Sequence, residues 1–323
     1  MGVRWHGGQG NVPNGMEALR TADDIRDVNT RYHDVAADGY DTKWGIDFGE
    51  IGQSQVLGKL RKLLGSELDD GYDRSLEIGA GTGYFSLNLL QAGVVGEATC
   101  TDISPGMVAT LGRNAERLRL DVRTARADAE SLPFADSSFD LVLGHAVLHH
   151  LPNLRRAFAE FHRVLRPGGR IVFAGEPSRL GDRIASVPKR GANVFAPAWR
   201  RLLRARPAPP PGGADGAGPE CNHDHDLERF VDIHAFEPAD LSRHASRAGF
   251  VDISVRGEEL TANWFGWFNR ALEASAEPKD VPMLWRQYAF HGYLLLQRLD
   301  QRLLEPMLPP AIFYNLLLTA RRI

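Results

Sequence analysis

Only two of the 323 residues are cysteine, Cys100 and Cys221. Two cysteines make no disulfide framework and carry no zinc-ligand spacing, so a reducing, cytoplasmic location is expected. Long apolar runs are missing too. No stretch approaches the roughly 18 residues of a bilayer span, and the start M-G-V-R-W-H-G-G-Q-G lacks the apolar centre of an export signal. No integral membrane association is therefore expected. Nor does one charge dominate: 38 Lys and Arg stand against 41 Asp and Glu, a net charge of −3. Nothing global advertises nucleic acid as a partner. What the chain does have is 43% hydrophobic side chains, enough to bury a sizeable core.

The best-defined stretch is Ser75–Ser86, S-L-E-I-G-A-G-T-G-Y-F-S. Leu76 and Ile78 flank Glu77 and run into glycines at 79, 81 and 83, after which Phe85, Leu87, Leu89 and Leu90 resume an apolar pattern up to Gly93. The pattern predicts strand, glycine turn, helix. Glycines allow a sharp turn and the close approach of a ligand, and the helix start offers unpaired N–H groups to an anion. The dinucleotide fingerprint G-x-G-x-x-G needs its third glycine at position 84, which is Tyr84. A nicotinamide dinucleotide is thereby disfavoured. The alternative E/D-x-G-x-G-x-G is satisfied by Glu77, Gly79, Gly81 and Gly83.

Further along, E-A-T-C-T-D predicts a second strand ending at Asp102. That is about 20 residues beyond the glycine turn, where a carboxylate can accept hydrogen bonds from a ribose diol. The competing reading is an acid at a helix start, ahead of a Ser104-Pro105 cap. A third strand over 122–127 ends in Asp128-Ala129. The run F-D-L-V-L-G-H predicts a strand buried on both faces, with His145 at its carboxyl end, the edge at which open α/β sheets bind ligands. Asp140 at its start reads as structural. Of His149 and His150, one is expected to face the core with its hydrogen bond satisfied. Leu154, Ala157, Phe158, Phe161, Val164 and Leu165 then mark a helix that Pro167-Gly168-Gly169 is expected to stop, ahead of the strand R-I-V-F-A-G-E. Upstream, residues 1–22 read as a mobile tail. Tyr32, Tyr40 and Trp44 fall on a short helix and loop, and Gln53–Leu64 reads as an amphipathic helix.

The segments L-E-I-G-A-G-T-G-Y-F-S, T-D-I-S, A-D-A-E-S-L-P-F, F-D-L-V-L-G-H-A-V-L-H-H-L and L-R-P-G-G-R-I-V-F together resemble the class I S-adenosylmethionine-dependent methyltransferases, in their ubiquinone and menaquinone-type branch. They span Leu76 to Phe173. The resemblance implies an α/β, Rossmann-like fold with a seven-stranded, mostly parallel sheet and helices on both faces. Its last strand, near Phe313–Arg321, would be antiparallel and inserted between strands five and six. The implied cofactor is S-adenosylmethionine, with contacts at Glu77, Gly79, Ala80, Gly81, Gly83, Asp102, Ile103, Asp128, Ala129 and His145. In such proteins the glycine loop holds the methionine end. An acid at the Asp128 position meets the adenine amino group, and Leu132-Pro133-Phe134 would form an apolar wall. Tyr32 and Tyr40 either cap this site or dock a terminal helix on the core.

Beyond Glu176 the chain is longer than a minimal domain of this kind. One methyltransferase domain over 23–323 is expected, with insertions at about 177–235 and about 258–310. Residues 205–219, A-R-P-A-P-P-P-G-G-A-D-G-A-G-P, read as a flexible loop. The basic W-R-R-L-L-R-A-R before it reads as a solvated helix face, or else as a surface for an acidic partner or membrane. Residues 221–226 gather Cys221, His223, Asp224, His225 and Asp226 without the spacing of a metal site, and no metal is expected. The second insertion is rich in aromatics. The expected function is methyl transfer to a small apolar or aromatic acceptor at oxygen or carbon, with His145 and His234 as candidate bases. A non-catalytic S-adenosylmethionine-binding protein is the main rival, ahead of an RNA methyltransferase or an NAD-dependent oxidoreductase.

Overall fold

The computed structural model describes residues 21–37, 39–41, 45–208 and 233–323. The expected tail up to residue 20, Trp44, positions 209–219 of the expected flexible loop and the cluster at 221–226 lie outside the described residues.

Seven strands form one sheet: β1 (Tyr72–Ile78), β2 (Val95–Asp102), β3 (Arg123–Arg126), β4 (Phe139–His145), β5 (Leu165–Pro177), β6 (Phe250–Glu258) and β7 (Asn315–Arg322). Their spatial order is β3-β2-β1-β4-β5-β7-β6. The first five run parallel, and β7 is antiparallel to both β5 and β6. This is the expected Rossmann-like sheet, with the last strand inserted between the fifth and sixth. The strand order reverses between β1 and β4, so the carboxyl ends of β1, β2 and β4 share one edge beside a natural crevice.

Helices follow from apolar spacing and local caps. They are α1 (Ala22–Ala36), α2 (Glu50–Leu64), α3 (Tyr84–Gln91), α4 (Pro105–Leu118), α5 (Leu154–Val164), α6 (Arg179–Leu203), α7 (Pro238–Arg247), α8 (Thr261–Ala274) and α9 (Met283–Leu299). Thr21 and Asp24 form a capping box on α1, and the Ser104 hydroxyl accepts the Met107 N–H at the start of α4. Val56, Leu60, Phe85, Leu89 and Leu141 fill the core on one face of the sheet. Phe158, Phe161, Phe173, Val142 and Leu318 fill the other. Each such side chain, wholly withdrawn from water, contributes about 1.5–3 kcal/mol.

One boundary differs from expectation. Pro167-Gly168-Gly169 does not separate helix from strand, because β5 already begins at Leu165, paired with Phe139, and crosses the Pro-Gly-Gly stretch through a register shift. Gly169 makes this possible: a Cβ there would stand 2.9 Å from the carbonyl oxygen of Asp140.

The strands β5 and β6 run the same way, and both hand over to helices at the carboxyl edge of the sheet. Helix α6 starts just after Pro177, and α8 starts shortly after Glu258, its first turn held by the buried carboxylate of Asp300. That group accepts the Leu260 and Ala262 N–H groups at 2.9 Å and the Thr261 hydroxyl at 2.7 Å. Helices α6, α8 and α9 therefore rise as a bundle from the edge where the site lies, around Ala192, Ala196, Trp199, Leu272 and Val281.

Candidate functional site

The glycine loop joins β1 to α3. Gly79, Gly81 and Gly83 all have left-handed backbone angles, with φ of 59°, 52° and 97°. Two of them also have no room for a side chain. A Cβ on Gly79 would stand 2.4 Å from Val147, and one on Gly83 would stand 2.8 Å from Leu87. Gly81 differs, for beside it only the Tyr40 ring comes as near as 4.0 Å. The loop thus presents open backbone at Gly81 with an aromatic ring across the gap. The Ala80 N–H donates to the Thr101 carbonyl at 2.9 Å, tying the loop to β2. Next to it the buried Thr82 hydroxyl has no partner among the described residues. A cradle without a Cβ and an orphaned hydroxyl fit a ligand lying against this loop.

Asp102, the last residue of β2, is buried and faces the same loop. Its Oδ2 accepts the Gly81 N–H and its Oδ1 accepts the Ser104 N–H, each at 2.9 Å. A carboxylate has about four acceptor positions, so one on each oxygen remains for a diol. Burial pushes this carboxyl up, against the His33 charge and the backbone N–H groups that favour the anion.

Helix α1 closes the crevice from above. The Asp34 carboxylate accepts the Ser104 hydroxyl and, at 2.9 Å, the Gly106 N–H, which docks α1 on the start of α4. Arg26 reaches across to Asp128 at 2.9 Å and to the buried Glu130 at 2.7 Å. Between them lies a cleft of about 390 Å³, lined by Asp23, Arg26, Asp27 and Thr30 of α1 and by Ile103, Arg126, Ala127 and Asp128 of the sheet edge. Gly79, Ala80, Gly81, Gly83, Asp102, Ile103 and Asp128 therefore lie along one edge, while Ala129 turns into the core. Tyr40 stands over the loop, whereas Tyr32 is 3% exposed and packs edge-on to His33, 5.0 Å away. Of the two tyrosines, Tyr40 borders the ligand side and Tyr32 docks the helix.

Several expected contacts are corrected. Glu77 does not face the crevice: it is 1% exposed, and its Oε2 accepts the Ser86 N–H at 2.8 Å beneath the first turn of α3. Burial pushes its carboxyl up to about 7, although hydrogen bonds from Ser86 and Phe85 oppose the rise. It shapes the loop from behind. Leu132 is a core residue and Phe134 packs edge-on to Phe139, 5.3 Å away, so neither lines the cleft. Glu176, at the end of β5 beside His145, is fully buried and borders no acceptor space. It accepts the N–H groups of Val147, Leu148 and His149 at 3.0, 3.0 and 3.1 Å, with the His149 ring at 2.8 Å. His149 is thus the core-facing member of the histidine pair. The bend that Glu176 holds starts at Ala146, whose φ is 53°.

His145 ends β4 with its ring 4.9 Å from Phe85 and 5.6 Å from Tyr84. The imidazole occupies space left by Gly175, where a Cβ would stand 2.9 Å from Nε2. Burial, and then the charge of Lys59, push His145 down to about 4. It is neutral at physiological pH and a poor base there. His234 is fixed otherwise: its Nε2 lies 3.1 Å from the Leu151 carbonyl, and its backbone N–H donates to the His149 carbonyl at 3.2 Å. Burial lowers its pKa as well. Its contacts make it an anchor for the chain entering α7.

The largest element that sequence reading misses is a buried charge network under His145 and Tyr84. Lys59 of α2 pairs with Glu258 of β6, Lys62 bridges Glu258 at 2.7 Å and Glu305 at 2.9 Å, and Tyr293 of α9 donates to Glu259 at 2.8 Å. Burial alone would raise Glu258, but the two lysines outweigh it and hold the carboxyl at about 2. Burial and nearby acids push the Tyr84 hydroxyl up to about 12. No local pattern announces this network, since its partners lie far apart in the chain.

A sheet of this order, with a glycine turn after β1 and an acid at the end of β2, defines the class I S-adenosylmethionine-dependent methyltransferase fold. Residues 76–173 match the family described as a methyltransferase domain. It is 38% identical over 157 residues to a malonyl-[acyl-carrier protein] O-methyltransferase of Geobacter sulfurreducens, covering 47% of this chain and 53% of that protein. It is 36% identical over 112 residues to a demethylmenaquinone methyltransferase of Thermus thermophilus, covering 35% and 51%. The chain spans about half the length of these curated relatives. In fold it is similar to phosphoethanolamine N-methyltransferase 2 of Haemonchus contortus in complex with S-adenosyl-L-methionine. That likeness has a TM-score of 0.56 at 17% identity, covering 92% of this chain and 60% of that one. No helix among the described residues is long and apolar enough to cross a membrane.

Proposed function

We propose that this protein binds S-adenosylmethionine along the crevice and transfers its methyl group to a small apolar or aromatic acceptor, at oxygen or carbon. The observation that carries the reading is the coupling of Asp102 to the Gly81 N–H beneath Tyr40. In this reading the glycine loop cradles the methionine end and Asp102 takes the ribose diol. Asp128 and Ile103 border the adenine, and α1 covers it. The bound cofactor supplies a methyl group on a sulfonium, displaced in line, so that positive charge disperses in the transition state.

The chain's own contribution is position and dryness. Arg26 and Asp34 hold α1 over the crevice and exclude water, which strengthens every electrostatic interaction inside. His145 is neutral and fixed between Tyr84, Phe85 and Gly175, so it orients the acceptor and does not carry away a proton near pH 7. An acceptor that ionises by itself, such as a phenol or an activated carbon acid, suits a site without a strong base.

The names of the relatives suggest two kinds of acceptor, a carrier-bound malonyl group and a demethylated quinone. The charge network favours the second. A free carboxylate would call for a cation, but Lys59 and Lys62 are both committed to Glu258 and Glu305, and Lys189 is engaged against the face of the Trp267 ring, 3.9 Å from its centroid. On the bundle side, Trp267 lies 6.1 Å from Tyr314, and its buried indole N–H has no partner among the described residues. That is one donor on an aromatic surface, which suits a ring oxygen. Not every aromatic serves this: Phe265 packs edge-on to Tyr288 and Phe268 lies against Phe195.

Labelled S-adenosylmethionine incubated with demethylated quinols, simple phenols and malonyl thioesters tests the reading. Label is expected in the aromatic acceptors. Transfer only to malonyl thioester would overturn the acceptor class. Tight cofactor binding without transfer to any small molecule would support the non-catalytic alternative.

A further inference from the structure

The bundle at the carboxyl edge exposes a surface opposite in character to the rest of the chain. On α6 the buried side is made of Gly181, Ala185, Ala192, Ala196 and Trp199. The outward side alternates large apolar and basic residues at helical spacing, in the order Arg183, Val187, Arg190, Val194, Arg201. Val194 and Leu202 are 78% and 79% exposed. Neighbouring α9 has no buried residue at all, and its Leu284 is 77% exposed. Between the end of α6 and α9 runs an apolar groove of about 810 Å³, bordered by Leu203, Leu284, Tyr288 and Leu295. An amphipathic helix facing water ordinarily turns its polar side outward. Here the residues that would drive burial are the ones left outside.

The charge on this surface has one sign. Within Arg179–Leu203 there are six basic residues and one acid, Asp182, and Met283–Leu299 holds Arg286 and Arg298 with no acid, although the whole chain carries −3. Arg183, Arg190, Arg201 and Arg204 are exposed and bridge to no acid among the described residues.

We infer that the α6–α9 face docks on an anionic lipid bilayer, as a peripheral contact. Arginine and large aliphatic side chains alternating on one helix face match a partner that sets anions directly above hydrocarbon. The guanidinium groups lie among phosphate headgroups while Val194, Leu202 and Leu284 enter the acyl boundary. The groove then receives chain ends from the same leaflet. An acidic protein would pair with the arginines but leave the aliphatic rows without complement. The inference does not depend on the acceptor, because vesicle binding needs no methyl transfer.

The test is flotation of the full chain with phosphatidylcholine vesicles, with and without phosphatidylglycerol, at low and high salt. Binding is expected to vesicles containing phosphatidylglycerol and to weaken with salt. Each Arg near an anionic surface is worth about fivefold in binding. Arg201→Glu with Arg204→Glu is therefore expected to lower affinity by at least about 25-fold, and Leu202→Ser with Leu284→Ser to lower it as well. Both double variants lie away from the crevice and should keep cofactor affinity and melting temperature, which separates a docking defect from misfolding. Four outcomes would overturn the inference: no vesicle binding by the wild type, equal binding to neutral vesicles, binding indifferent to both variants, or a dimer in solution that the leucine pair abolishes.

Discussion

The Asp102 carboxylate and the Gly81 N–H are joined at 2.9 Å, so the acid at the end of β2 and the open point of the glycine loop move as one unit. Removing the carboxylate takes away the proposed ribose acceptor and loosens the loop together. Asp102→Ala is expected to weaken S-adenosylmethionine binding by about 1.5–3 kcal/mol. Calorimetry with cofactor and its demethylated product measures this, and unchanged affinity would sink the ribose assignment.

Glu77 gives stability a pH dependence of known sign. In the native state its buried carboxyl keeps a proton up to about pH 7, whereas in the unfolded chain the proton leaves near 4.3. Between those values the native state binds more protons, so the contribution of Glu77 to stability falls as pH rises, and it is constant above about 7. Glu77→Gln keeps an oxygen for the Ser86 N–H and has no proton to lose. Relative to wild type it is expected to gain on the order of 2–3 kcal/mol between pH 4 and pH 8. Urea unfolding at the two pH values reads the difference, and parallel behaviour of the two proteins counts against the raised carboxyl.

His145 is held at about 4, so it becomes charged only as pH falls through that value. No limb between pH 6 and 8 in the rate profile should belong to it. His145→Ala is expected to lower the rate by on the order of 10- to 100-fold through lost positioning, with the shape of the profile retained. A basic limb near neutrality that disappears in the variant would restore His145 as a general base.

Lys59 and Glu258 stabilise each other in a place neither tolerates alone. Lys59→Met leaves Glu258 buried with Lys62 as its remaining partner and is expected to cost about 3 kcal/mol or more. Adding Glu258→Gln should recover much of that loss. A double-mutant cycle in denaturant measures the coupling, and additive single effects would mean the pair contributes nothing as a pair.

What the sequence determined alone is whatever local backbone chemistry requires. The loop at Gly79–Gly83 was legible because three left-handed positions, two of them pressed against Val147 and Leu87, demand glycine. The strand end at His145 was legible because a buried parallel strand reads as an apolar run broken where the chain leaves the sheet, whereas Asp102 and Asp128, at the end of and just past strands that are not apolar runs, were legible through their spacing and the family resemblance. The inserted antiparallel strand was legible only through family resemblance. Tertiary structure decided what each of these side chains faces. One acid, Glu77, turns under a helix, while another, Asp102, turns to the crevice, and their spacing from glycines does not separate the two. Lys59 meets Glu258 across 199 positions of sequence, and burial, together with the Lys59 charge, takes His145 out of the range of a neutral-pH base. Helix α6 shows the same division: the run W-R-R-L-L-R-A-R read as a solvated helix face, but only the packing of small residues at the contact put large apolar side chains outside as well. Burial and long-range electrostatics depend on partners brought close by folding, and such partners leave no local trace.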